Sequence, residues 1–69
     1  MTQSTWTIYD HPRDFPHNYV ARRFEGDKPT GDVMVGTDLS LMRRALELKG
    51  LVPLPRFQED DAKIVEVWL

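Results

Sequence analysis

The spacing of apolar residues predicts strands in the first half of the chain. Thr5 to Tyr9 is β-branched or aromatic throughout, with Trp6 and Ile8 on one face, which is typical of a strand. Asn18 to Phe24 predicts a second strand. Val33 to Val35 predicts a short third strand that pairs back on the second as a hairpin.

Turn-forming residues separate these strands. Asp10 to His17 predicts a loop, because each of its two prolines removes a backbone donor and pushes the preceding residue out of the helical region. The segment 26–31 predicts a turn. Pro29 and Gly31 suit the second and fourth positions of a type I turn that starts at Lys28.

The apolar period changes to that of a helix after Gly36. Four residues recur at helical spacing and two more widen the apolar stripe: Leu39, Met42, Ala45 and Leu46, then Leu41 and Leu48. Thr37 or Asp38 can cap the N-terminus. Gly50 suits the left-handed residue that ends a helix, and Leu51 can supply the accompanying apolar contact.

The rest of the chain predicts extended structure. Val52 to Gln58 contains two prolines and cannot form a central strand, and we expect Leu54 and Phe57 to hold it to the core. Glu59 to Asp61 predicts an acidic turn, and Lys63 to Leu69 a final strand. The predicted fold is α+β, in a single domain over residues 1–69. Its small antiparallel sheet combines a three-strand meander with the C-terminal strand, and one helix packs on one face; the strand order stays open.

Composition narrows the class of protein. The 69 residues include no cysteine, which excludes disulfides, thiolate metal sites and a cysteine nucleophile. A small secreted domain usually carries disulfides, so we expect a cytoplasmic protein. No stretch approaches the roughly 20 apolar residues of a membrane span, and the N-terminus lacks the pattern of a signal peptide, so we expect no membrane association.

The aromatic residues suggest an interaction surface. One helix of about three turns is too narrow to cover two tryptophans, two tyrosines and three phenylalanines, so we expect some aromatic surface to remain exposed. The predicted function is a non-enzymatic module for protein interaction or self-association through sheet surface or a sheet edge, with a homodimer or another protein as partner. Its surface would comprise Trp6, Tyr19, Arg22, Arg23, Ile64 and Trp68.

The alternative is a small domain that binds nucleic acid or a phosphate ligand through arginines beside aromatic rings. The candidate residues are Arg13, Arg22, Arg23, Arg43 and Arg44. The net charge of −2 argues against broad electrostatic capture of nucleic acid, but a local arginine patch stays open. Neighbouring arginines in a strand point to opposite faces, which weakens this reading.

Catalytic chemistry has little support in the sequence. Asp10, His11, Asp14 and His17 could offer imidazole and carboxylate ligands, but their spacing matches no metal motif, and a rigid loop explains them better. No serine lies in a nucleophile elbow. We therefore expect no enzymatic activity, no metal and no cofactor.

Four segments resemble short uncharacterised bacterial proteins: Ile8 to Pro12, Asp38-Leu39, Lys49 to Leu51, and Asp60 to Trp68. The similarity spans most of the chain. It implies a free-standing bacterial domain and brings with it no function and no site residue.

Overall fold

The computed structural model describes residues 4–54 and 63–69, which form a five-stranded sheet and one helix. The elements along the chain are β1 (Ser4–Asp10), β2 (Tyr19–Glu25), β3 (Lys28–Gly36), α1 (Leu39–Leu48), β4 (Pro53–Leu54) and β5 (Ile64–Trp68). The strand order is β3-β2-β1-β5-β4, and every neighbouring pair is antiparallel. The α+β class and the three-strand meander are confirmed.

The hairpin between β2 and β3 is tighter than the sequence predicts. Glu25 pairs with Lys28, so only Gly26 and Asp27 form the turn. Gly26 has φ 62°, and a glycine at the first turn position suits the type II′ turns that match the twist of a hairpin. The type I turn predicted from Lys28 is wrong, because β3 begins at that residue.

β3 contains an irregularity that shapes its outer edge. Arg22 pairs with Val33 while Phe24 pairs with Pro29, so Arg23 faces the three residues 30–32. The Thr30 hydroxyl donates to the Arg23 carbonyl at 3.2 Å and accepts from the Asp32 N–H at 3.1 Å. This local network stabilises a bulge in place of regular ladder bonds.

The main core joins the helix to the centre of the sheet. Six buried residues form one cluster: Trp6, Ile8, Ala21, Met42, Leu46 and Trp68. Pairing of Trp6 with Trp68 and of Ile8 with Ala21 places these strand residues on one face. Val20 and Thr7 lie on the opposite face by strand alternation and are also buried, so side chains on both faces of the sheet are shielded from water.

Both ends of α1 have the capping contacts that the sequence predicts. Asp38 caps the N-terminus by accepting from the Ser40 N–H at 2.9 Å. At the C-terminus Gly50 has φ 84° and donates to the Glu47 carbonyl, and Leu51 donates to the Leu46 carbonyl. These two bonds form a Schellman motif, and Leu51 also packs against the core.

The extended segment after the helix is an edge strand. β4 has two residues and pairs with β5, as expected for a strand that begins with proline. Leu54 is exposed at 38%, so it does not hold this segment to the core as predicted. The predictions for Phe57 and for the acidic turn at 59–61 lie outside the described residues. In the part of the chain that the structure describes, no helix is long and apolar enough to cross a membrane.

Candidate interaction surface

The outer edge of β3 is the longest sheet edge among the described residues. β3 has nine residues and pairs only with β2, whereas the opposite edge strand β4 has two. An edge strand presents backbone N–H and C=O groups that another strand can pair with. This edge therefore offers hydrogen-bonding capacity that the described part of the fold does not use.

A groove runs between β3 and the helix along this edge. Its upper hollow is lined by Met34, Val35, Gly36, Thr37, Asp38, Leu41 and Met42. Its lower hollow is lined by Trp6, Arg23, Asp32, Val33, Met34 and Lys49. Met34 lines both hollows and also packs against the core cluster, so it marks the middle of the groove. Below, "edge groove" means these two hollows together.

Three large aliphatic side chains are exposed around the edge groove. Val33 is 45% exposed and Val35 is 44% exposed, and both lie on the face of β3 away from Met34. Leu41 is 67% exposed on the helix side of the groove. The Val33–Val35 part of the outer edge of β3 is thus flanked by apolar side chains on both of its faces. A concentration of large exposed apolar groups of this kind is typical of an interaction site.

A second exposed group lies at the far end of the helix and on the β4 side. Leu48, Val52, Leu54 and Leu69 belong to it, and Leu48 is the most exposed at 80%. Val52 and Leu69 exchange backbone hydrogen bonds at 2.9 Å in both directions, which extends the pairing of β4 with β5. Because this backbone is already paired, the group offers apolar contact but less hydrogen-bonding capacity than the β3 edge.

Trp6 and Arg23 are the two predicted surface residues that the structure brings together at the edge groove. Trp6 is only 9% exposed, and the Lys49 ammonium lies 5.6 Å from its ring centroid. Arg23 donates to Asp32 at 2.8 Å, to Glu25 at 2.9 Å and to Ser4 at 3.0 Å. The hydrogen bond to Asp32 raises the pKa of the Arg23 guanidinium above its ordinary value, so this charge is permanent and locally balanced.

The other predicted surface residues do not share this site. Trp68 is 1% exposed, and its indole N–H donates to the Glu66 carboxylate at 3.1 Å. Tyr19 and Ile64 are half-buried at other positions, and the Tyr19 ring meets His11 edge-on at 5.1 Å. Arg22 lies on the face opposite Arg23 and pairs with Asp14. Trp6 and Trp68 belong to the buried core cluster together with the helix residues Met42 and Leu46, so neither ring is exposed in the single chain.

The arginines are largely engaged with carboxylates. Arg22 pairs with Asp14, Arg23 with Asp32 and Glu25, and Arg43 with Glu66 at 2.8 Å. Within residues 4–54 and 63–69, Arg13 and Arg44 are exposed and form no such pair. Of the five arginines in the described part of the chain, three are therefore balanced locally by carboxylates.

The histidine loop is organised by local bonds. His11 bonds to the neighbouring Asp10 carboxylate, its backbone N–H donates to the Asn18 carbonyl at 3.0 Å, and Lys63 donates to its carbonyl at 3.1 Å. No group of three His, Asp or Glu side chains suited to a metal occurs among the residues described. These contacts close the loop between β1 and β2.

Three residues of the edge groove were not identified from the sequence: Val33, Val35 and Leu41. The sequence contains part of the signal that would have identified them. Leu41 and Leu48 are seven residues apart and share the helix face that lies away from Met42 and Leu46, so they do not widen the buried stripe. Val33 and Val35 would have stood out only with knowledge that β3 lies at a sheet edge.

Comparisons with known proteins identify no family for this chain. Scans against models of protein families, against curated proteins and against solved structures gave no match.

Proposed function

We propose that this protein is a non-enzymatic interaction module that self-associates through the edge groove and the outer edge of β3. The observation that carries the proposal is the exposure of Val33, Val35 and Leu41 around a nine-residue strand whose outer edge pairs with no described residue. Apolar side chains that flank open backbone groups favour a protein partner over water or a small polar ligand.

The proposal gives different roles to the two sides of the helix. Met42 and Leu46 share a cluster with Trp6 and Trp68, which supports a helix packed on one face of the sheet. Leu41 points away from that cluster and remains exposed. One side of the helix would then complete the core of a single chain, while the other would be free for a second protein.

The setting we propose is the cytoplasm of a bacterial cell. Small domains in oxidising compartments usually carry disulfides, and this chain has no cysteine to form one, which favours the cytoplasm. The resemblance to short bacterial proteins favours a bacterial cell. The small core supports the functional proposal independently, because association is one of the few ways to stabilise so short a chain without covalent links.

The direct test is the solution mass of the purified protein from micromolar to millimolar concentration, measured by sedimentation equilibrium. We expect the mass to rise above that of one chain. In a matched pair of variants, Leu41→Lys should weaken association by about tenfold, equivalent to about 1.4 kcal/mol, because it places a charge in the edge groove. Leu48→Lys adds the same charge on the same helix face, outside the groove, and should leave association unchanged.

Two results would count against the proposal. One is the mass of a single chain at every concentration. The other is an equal loss of association in both lysine variants with their folds intact, because that would assign the contact to the exposed helix face and not to the groove.

A further inference from the structure

We infer that the partner at the β3 edge is a second copy of this chain, paired antiparallel through Val33 to Val35 about a two-fold axis at Met34. This inference rests on the proposed self-association and specifies its geometry. Two five-stranded sheets would join into one continuous sheet, with the two edge grooves on the same side.

The hydrogen-bonding pattern of the hairpin identifies the open backbone groups. In a two-residue hairpin the pair that flanks the turn, here Glu25 and Lys28, exchanges both hydrogen bonds. Alternate residues of β2 then point their backbone groups towards β3, and the contact from Thr30 to the Arg23 carbonyl agrees with this direction. Ala21 pairs with Met34 in the same phase, so the N–H and C=O groups of Val33 and Val35 point outwards.

Three features confine pairing to this short segment. Pro29 has no N–H and lies in the first half of β3. The bulge at 30–32 interrupts the regular spacing of the edge, and Asp32 carries a charge there. Prolines, bulges and charges are the devices that keep sheet edges from pairing. Val33 to Val35 carries none of them, so it is the stretch of β3 left free to pair.

The residues of this segment are self-complementary. A two-fold axis at Met34 sets Val33 of one copy opposite Val35 of the other, in both directions, and these are the residues with outward backbone groups. Asp32 then faces Gly36 of the second copy, and no two like charges stand opposite each other. A symmetric dimer requires this property, because the same patch must meet itself. Pairing with a strand of an unrelated protein would not require the symmetric sequence Val-Met-Val in this chain.

The side chains fit the same arrangement on both faces. The four valines of the two copies would form adjacent β-branched pairs on one face, covering groups that are nearly half exposed in the single chain. On the other face the two Met34 side chains would meet in the middle of the combined groove, flanked by Leu41 from each copy. The inferred pairing therefore covers all three aliphatic residues that define the site.

The absence of cysteine allows a sharp test by single-cysteine cross-linking. In the inferred register Met34 faces itself as a non-hydrogen-bonded pair, whose Cα atoms lie about 4.5 Å apart, within the range a disulfide bridges. Met34→Cys should form a covalent dimer rapidly under mild oxidation. Val33→Cys and Val35→Cys face other residues and should form it at least about tenfold more slowly, as should the exposed control Leu48→Cys.

A backbone variant checks the hydrogen bonds independently. Val35→Pro removes an outward N–H and should give a folded monomer, because prolines are tolerated on the solvent side of an edge strand. Val35→Thr keeps the N–H and the branched shape and should remain a dimer. Should the proline variant fail to fold, amide exchange of the native protein supplies the readout: the Val33 and Val35 amides should exchange more slowly as concentration rises.

The outcomes separate this inference from the proposed function. A protein that associates by mass but cross-links fastest at residue 48, or dimerises equally with Val35→Pro, would overturn the edge pairing and leave self-association standing. Preferred cross-linking at residue 33 or 35 would overturn the register. A wild-type chain that is monomeric at all concentrations would overturn both.

Discussion

At the scale of single residues, Glu66 connects the helix to the most deeply buried aromatic ring. Its carboxylate accepts from the Arg43 guanidinium at 2.8 Å and from the Trp68 indole at 3.1 Å, and its side chain is only 15% exposed. A buried indole N–H without an acceptor costs free energy, so this carboxylate enables Trp68 to lie in the core.

We predict that Glu66→Ala lowers the free energy of unfolding by about 1–3 kcal/mol, because both donors lose their acceptor and the indole N–H is left unsatisfied. Glu66→Gln should cost less, since its amide oxygen can still accept from Trp68. Urea titrations followed by tryptophan fluorescence measure both. Glu47→Ala, an exposed helix position, is the matched control and should stay within about 0.5 kcal/mol. Equal stability of the alanine and glutamine variants would contradict the role assigned to the indole bond.

The burial of the two tryptophans could not be predicted from single residues. Strand alternation correctly placed Trp6 with Ile8, but the number of rings suggested that some must remain exposed. In the structure Trp6 and Trp68 are opposite each other on β1 and β5 and share one cluster with the helix. Because the two rings are neighbours, a single cluster buries both, and only the strand order reveals that they are neighbours.

At the scale of elements, the helix was the best predicted part of the chain. Its cap at Asp38, its stop at Gly50 and the apolar contact of Leu51 all follow from local sequence, because they depend on backbone groups within one turn. The β2–β3 hairpin was predicted less well. The proline and glycine at 29 and 31 suggested a turn there, whereas Gly26 and Asp27 make a shorter one, and the later residues form the bulge.

The two glycines at 31 and 50 provide a prediction at this scale, because an added Cβ at either would meet no atom within 4 Å. Gly50 has φ 84°, so Gly50→Ala should lower the free energy of unfolding by about 1 kcal/mol through backbone strain alone. Gly31 is not in the left-handed region, so Gly31→Ala should be neutral or raise stability by up to about 1 kcal/mol. Thermal unfolding of the two variants side by side measures the difference. Equal losses at both positions would show that strain at the helix stop is not the cause.

At the scale of the whole molecule, the centre of the sheet is shielded on both faces, whereas the described residues leave the outer edge of β3 uncovered. The sequence led to the expectation that one helix leaves some aromatic surface exposed, on a sheet face or along an edge. Val20 and Thr7 are buried on the face away from the main cluster, and within residues 4–54 and 63–69 the exposed large apolar side chains are aliphatic. The proposed interaction surface thus lies at a sheet edge flanked by aliphatic side chains and does not consist of aromatic rings. Sequence reasoning could not locate that edge, because the order of strands depends on pairing between β1 and β5, which are far apart in the chain.

Coupling between association and folding gives the last prediction. A second copy that binds only the folded chain stabilises it by mass action, by about 2.7 kcal/mol at a concentration a hundredfold above the dissociation constant. For a domain of this size such a gain raises the midpoint of thermal unfolding by on the order of 10 °C. We therefore expect the wild-type midpoint to rise with protein concentration in calorimetry, while Leu41→Lys needs about tenfold more protein to reach the same rise in its midpoint. A wild-type midpoint independent of concentration would mean that the exposed edge contributes nothing to stability, and that the single chain carries its small core without a partner.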